Sequence, residues 1–179
     1  MAYKDKKQAL YAVVSRRLTA LEKGGDRGEL ANIRRYGFDG KAYENYPDEL
    51  GKPIEGSWET KAIDTAITVY AKTARGNNTQ VRGKNSLGKA CKMLNSQSAL
   101  GYLRSAENAY SFKDTVYYLN RLLDMLRTQK NAGSLDYGQL ACDLYDMRTP
   151  EGKQRVFRRW SMDYYYFTTE KNTQQKENN

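Results

Sequence analysis

The chain contains no histidine, and only two cysteines and three prolines among its 179 residues. Without histidine, Ser–His and Cys–His nucleophilic pairs cannot form, and the commonest general base is missing. Catalysis would have to rest on paired carboxylates or a lysine. Most acidic residues instead stand four or fewer positions from a basic one, the pattern of solvated helix faces. Two lone cysteines without histidine cannot complete the usual zinc tetrad. Cys91 and Cys142 sit among apolar neighbours, in LGKACKML and QLACDLY, and are expected as reduced core thiols. No apolar run approaches the ~20 residues of a membrane span. The opening MAYKDKKQAL lacks the apolar core of a signal peptide. The expectation is an intracellular protein, cytoplasmic if bacterial, with no catalytic residues, cofactor, metal or membrane partner.

Positive charge is abundant. Thirty Lys and Arg against 21 Asp and Glu give a formal net charge of +9 and a pI of about 9.4. That balance favours an anionic partner: nucleic acid, an acidic protein or an anionic membrane. Hydrophobic residues make up 39% of the chain, enough for a real core. At this length roughly 70% of the unfolded surface can be buried.

Strand-like alternation is absent and helical periodicity dominates. A first helix is expected over residues 5–23, with Leu10, Val13, Val14, Leu18 and Leu21 inward and Gly24-Gly25 as its stop. Asp26-x-x-Glu29 resembles a capping box opening a short helix that ends Arg34-Arg35-Tyr36-Gly37. Residues 38–56 read as a long loop held by Tyr43, Tyr46 and Ile54. Ser57 caps a helix over 58–75, and 77–85 reads as a mobile loop. Further helices are expected from Ser86, over 98–108, from Ser111 through Thr128, over 136–146, and from Pro150 onward. The expected fold is all-α, about eight helices in antiparallel bundle-like packing over 1–167, with possible lobes 1–76 and 86–167. The polar stretch 168–179 has no apolar residue after it starts and is expected as a disordered tail.

The stretch RGNNTQVRGKNSLGKACKML, residues 75–94, superficially suggests a phosphate loop. Six residues rather than four separate Gly76 from Gly83, and Asn85 stands where a Mg²⁺-binding hydroxyl belongs. No strand-like run precedes it. A basic surface is the better reading. Between Thr65 and Ala106 stand Lys72, Arg75, Arg82, Lys84, Lys89, Lys92 and Arg104, and no acid. The segment from Tyr43 to Glu59, by contrast, has five acids and one lysine. Backbone N–H groups at the helix start near Ser86 would add to the attraction for phosphate. Further patches are Arg34-Arg35, Arg121 with Arg127, and Lys153-Arg155 with Arg158-Arg159. Fifteen tyrosines could stack on unpaired bases, but most, including Tyr164 to Tyr166, are expected in packing. No base-reading motif is present, so the expected mode is backbone gripping without sequence readout. A basic helical adaptor for acidic proteins is the alternative.

The order ALYAVV, LANIRR, SLGKA, YLNRLLDML, SLDYGQLACDL and FRRWSMDYY resembles the CasB family, the small subunit of the type I-E CRISPR Cascade surveillance complex. The resemblance spans about residues 9–167. It implies an all-helical, non-catalytic subunit, two copies of which line a guide-RNA complex. Its implied partners are guide RNA, the target and displaced DNA strands, and the backbone and large subunits. Carried over by position, Arg34, Arg35, Lys89 and Arg121 match basic positions of the family's segments, and Lys61 and Lys153 match more loosely. With the basic patches, the expected nucleic-acid contacts are Arg34, Arg35, Lys61, Arg82, Lys84, Lys89, Arg121, Lys153 and Arg155. The match departs at Gly101-Tyr102, where an arginine pair is expected, so no contact is assigned there.

Overall fold

The computed structural model describes residues 3–24, 27–37, 39–47, 51, 53–74, 82–128 and 135–176. The fold is all-α. Eight α-helices appear among the described residues: α1 (Tyr3–Gly24), α2 (Arg27–Tyr36), α3 (Trp58–Thr73), α4 (Leu87–Met93), α5 (Gln97–Asn108), α6 (Phe112–Thr128), α7 (Tyr137–Asp146) and α8 (Pro150–Lys176). A 3-10 helix spans Gly40–Asn45, and a short strand, β1, spans Arg82–Asn85. The helices gather into two compact units. Unit 1 is residues 1–78 and 137–148; unit 2 is 79–136 and 149–179.

Unit 1 is built on α7, which packs against both α1 and α3. Every residue of α7 except Gln139 is buried, as in an element enclosed by others, and its two buried aspartates are satisfied: Asp146 by Lys7 and Asp143 by the Gln139 amide. Close approach to α1 requires Gly138, where a Cβ would stand 2.8 Å from the Tyr11 ring. Tyr137 meets Tyr70 of α3 edge to face, ring centres 5.4 Å apart. Leu10, Val13, Val14, Leu18 and Leu21 of α1 are buried, as their spacing requires. Gly37 ends α2 in the left-handed region, φ 66°, and its N–H returns to the Ile33 carbonyl at 2.9 Å. Asp26 of the expected capping box lies outside the described residues; Glu29 is the ion-pair partner of Arg17 and Lys41. In the long loop, Tyr43 and Tyr46 are held, but the Ile54 side chain is 78% exposed. Ile54 anchors by its carbonyl, which accepts from Ser57 N–H and Thr60 Oγ1.

Unit 2 pairs α5 with α6 and α4 with α8. Leu119, Leu122, Leu123 and Leu126 of α6 form the buried stripe, and Trp160 and Phe157 of α8 meet edge to face at 5.0 Å. Burial of Trp160 is complete, and truncating such a residue to Ala costs about 3–5 kcal/mol. Part of the loop expected over 77–85 is ordered: β1 pairs with Leu135, and the Asp136 N–H donates to the Asn85 carbonyl at 2.9 Å. Four residues without alternating hydrophobicity give no sequence signal for such a strand; residues 75–81 lie outside the described chain. The α8 helix runs to Lys176, through most of the polar stretch expected as a tail. Gln, Lys and Glu are good helix formers, and an existing helix is extended at little cost.

Both cysteines are free and buried, Cys142 in unit 1 and Cys91 in unit 2. Burial pushes the Cys91 thiol up to about 12, which removes its reactivity at neutral pH. Among the described residues no helix is long and apolar enough to cross a membrane.

Candidate nucleic-acid interface

The two units differ sharply in charge. Unit 1 has fifteen basic and thirteen acidic residues, a formal +2; unit 2 has fifteen basic and eight acidic, a formal +7. In unit 1 many charges face each other. Lys6 pairs with Glu59 at 2.8 Å and Lys7 with Asp146 at 2.8 Å. Arg17, 8% exposed, donates to Asp39 and, at 2.5 Å, to Glu29. Burial works against its charge, yet the hydrogen bonds to Asp39 and Glu29 hold its pKa above the ordinary value. Glu29 is bound by Lys41 and by Arg17, and its pKa is lowered accordingly. These cations stabilise the fold rather than offering themselves to a ligand.

The nine expected contacts separate on the same line. Arg34, Arg35 and Lys61 belong to unit 1; Arg82, Lys84, Lys89, Arg121, Lys153 and Arg155 belong to unit 2. Arg34 is half-buried and donates to the Ala71 carbonyl at 3.2 Å, tying α2 to the last turn of α3. Arg35 is exposed. Lys61 is exposed in the first turn of α3, its ammonium 5.3 Å from the Trp58 ring centre.

In unit 2, Lys84 projects from β1 and is exposed, whereas Arg82 and Lys89 on either side are half-buried and engaged with neighbouring groups. The segment Ser86-Leu87-Gly88 proves to be architectural. Ser86 Oγ caps α4 by accepting from the Lys89 N–H at 3.3 Å, and donates to the Asp163 carboxylate of α8. That carboxylate stands at the α4 helix start, where the sequence expectation put a phosphate, and supplies the negative charge there itself. Leu87 is core. Gly88 lies against the Trp160 backbone so closely that a Cβ would stand 2.0 Å from its carbonyl oxygen.

Lys153 is likewise turned inward. Its Nζ donates to the Ala109 carbonyl at the end of α5 at 2.5 Å, and burial lowers its pKa. Arg155, two residues on, is exposed, as are Arg104, Lys113 and Arg158, and none of the four has a side-chain hydrogen bond or ion pair among the described residues. Arg121 is exposed and lies 5.3 Å from the centre of the Tyr117 ring, donating to the Tyr117 hydroxyl at 3.2 Å. Lys113, Tyr117 and Arg121 recur every fourth residue and form one outward stripe of α6, a cation–aromatic–cation row suited to backbone and base contact. The spacing was visible in the sequence, but Tyr117 gave no sign of facing outward. Arg127 has no described side chain. Tyr165 and Tyr166, expected in packing, are exposed, and only Tyr164 is half-buried, with Lys92 5.1 Å from its ring centre.

The fold resembles the crystal structure of CasB from Thermobifida fusca, with a TM-score of 0.64 and 23% identity over 90% of this chain and 96% of that one. No curated protein matches the chain. The family model for CRISPR-associated protein Cse2 matches residues 29–165, well over half of the sequence. The chain therefore belongs to the CRISPR-associated protein Cse2 family.

Proposed function

We propose that the protein is the non-catalytic small subunit of a Cascade-type RNA-guided surveillance complex, acting in the cytoplasm. Its basic outer faces hold nucleic-acid backbone and stabilise the opened target duplex. The observation that carries the reading is the charge asymmetry: unit 2 bears +7, with Lys84, Arg104, Lys113, Arg155 and Arg158 exposed and without carboxylate partners among the described residues. Exchange of a DNA duplex for an RNA–DNA hybrid is nearly neutral against stacking of about 1.4 kcal/mol per step. Modest backbone contacts then decide whether the opened state persists, and guide pairing supplies the sequence specificity. Arg35 and Lys61 are the exposed contributions of unit 1; Arg34 and Lys153 act mainly in holding the fold. A second copy of the chain, the guide RNA, both DNA strands and the backbone and large subunits are the partners of this reading.

The test is binding of a mixed-sequence single-stranded oligonucleotide across a salt series. With about five phosphates neutralised, the log–log slope is near −3.5. Binding that ignores salt, or that depends on oligonucleotide sequence, contradicts the proposal. Tight, salt-sensitive capture of an acidic protein with no affinity for the oligonucleotide would favour the adaptor reading.

A further inference from the structure

A cleft of about 600 Å³ opens in unit 1, far in charge from the basic faces of unit 2. Tyr43 of the 3-10 helix, Glu55 of the following loop, and Thr60, Lys61 and Asp64 of α3 line it. Asp64 is half-buried, and its Oδ1 accepts from the Tyr43 hydroxyl at 2.6 Å. Neither Asp64 nor Glu55 has an ion-pair partner among the described residues. The one cation of the lining among the described residues, Lys61, sits over the Trp58 ring. The other charge that acts on Asp64, Asp39, is a further carboxylate and is itself taken by Arg17. Burial, with the Asp39 charge adding to it, lifts the Asp64 pKa to about 6 against hydrogen bonds from the Tyr43 hydroxyl and the Asp39 backbone, so the half-buried carboxylate is held by neutral donors and by no cation among the described residues.

We infer that this cleft is a receptor for an arginine side chain presented by a protein partner. Among the described residues the lining sets Glu55 and Asp64 against Lys61, formally −1, so a cation is drawn to its carboxylates. A guanidinium matches the rest of the wall better than an ammonium does. It offers paired donors to Asp64, leaves water more easily, and stacks on an aromatic ring such as Tyr43. The inference goes beyond the nucleic-acid reading and stands without it, because it concerns the acidic unit and a protein ligand.

The probes are N-acetyl-arginine amide and N-acetyl-lysine amide, titrated into the full chain and followed by backbone amide NMR. The arginine probe is expected to shift the Gly56, Thr60 and Asp64 amides saturably, with the lysine probe weaker. Affinity falls as pH drops from 7.5 to 5, because Asp64 takes up a proton. Asp64→Asn weakens binding about tenfold, and Glu55→Gln, at an exposed position, about threefold. Lys61→Ala strengthens it, an effect that loss of a structural side chain would not produce. Shifts that do not saturate, shifts unchanged in both Asp64→Asn and Glu55→Gln, or a mononucleotide that binds the cleft more tightly than the arginine probe, would overturn the inference.

Discussion

Unit 1 and unit 2 have equal numbers of basic residues, fifteen each, but use them differently. In unit 1 they meet carboxylates across the fold: Lys6 with Glu59, Lys7 with Asp146, Arg17 with Asp39 and Glu29. In unit 2 Lys84, Lys113 and Arg155 point outward, and Ser86 rather than a lysine takes the Asp163 carboxylate. Net charge alone would rank the whole chain as a polyanion binder. The comparison shows that unit 1 engages several of its cations with its own carboxylates, whereas unit 2 leaves Lys84, Lys113 and Arg155 exposed without carboxylate partners among the described residues.

The comparison breaks most forcefully at Arg17. Arg17→Met leaves the buried Asp39 without its cation, and Glu29 with the exposed Lys41 alone, and should cost about 3–5 kcal/mol, read as a fall in the urea midpoint. A cost near zero would mean that the unit 1 pairs are incidental. Next comes Gly88→Ala in unit 2. The added methyl meets backbone rather than a movable side chain, and about 3 kcal/mol or more of stability should be lost.

A smaller effect is expected at Asp64, with a definite sign. Its folded pKa of about 6 lies above the ordinary 3.8, so the native state binds that proton more tightly than the unfolded chain does. The stability so gained is full at low pH and is lost as pH rises through about 6. Asp64→Asn, which keeps an acceptor for Tyr43 but cannot ionise, should therefore gain on the wild type between pH 4 and pH 7. Parallel urea midpoints for the two proteins over that range would contradict it. Smallest is Gly101→Ala, at an open, mid-helix position of unit 2, which should stabilise by about 0.5–1 kcal/mol. Together with Gly88→Ala it separates helix propensity from packing within one unit.

The all-helical fold was legible because its stripes are strong: Leu119, Leu123 and Leu126 recur at helical spacing and are all buried. The unit to which a helix belongs was not. Residues 137–148 lie in sequence between elements of unit 2 yet form the centre of unit 1, because periodicity says which face is buried and not what buries it. The basic character of the site was readable, but its division was not. Lys153 and Arg34 look like any surface cation in sequence, and each instead satisfies a helix-end carbonyl. Arg17 did give a signal. It falls in register with Val13, Val14, Leu18 and Leu21, and a cation in an apolar register is buried only if carboxylates come to it.

The most direct measurement is the salt dependence of oligonucleotide binding by two charge-reversed proteins. One carries Lys84→Glu, Arg121→Glu and Arg155→Glu in unit 2; the other carries Arg16→Glu, Lys23→Glu and Arg27→Glu, exposed positions of unit 1. Each lost phosphate contact on a single strand removes about 0.7 from the log–log slope, so the unit 2 variant should be shallower by about 2 and the unit 1 variant nearly unchanged. Equal losses from both, or a wild-type slope in the unit 2 variant, would contradict the account.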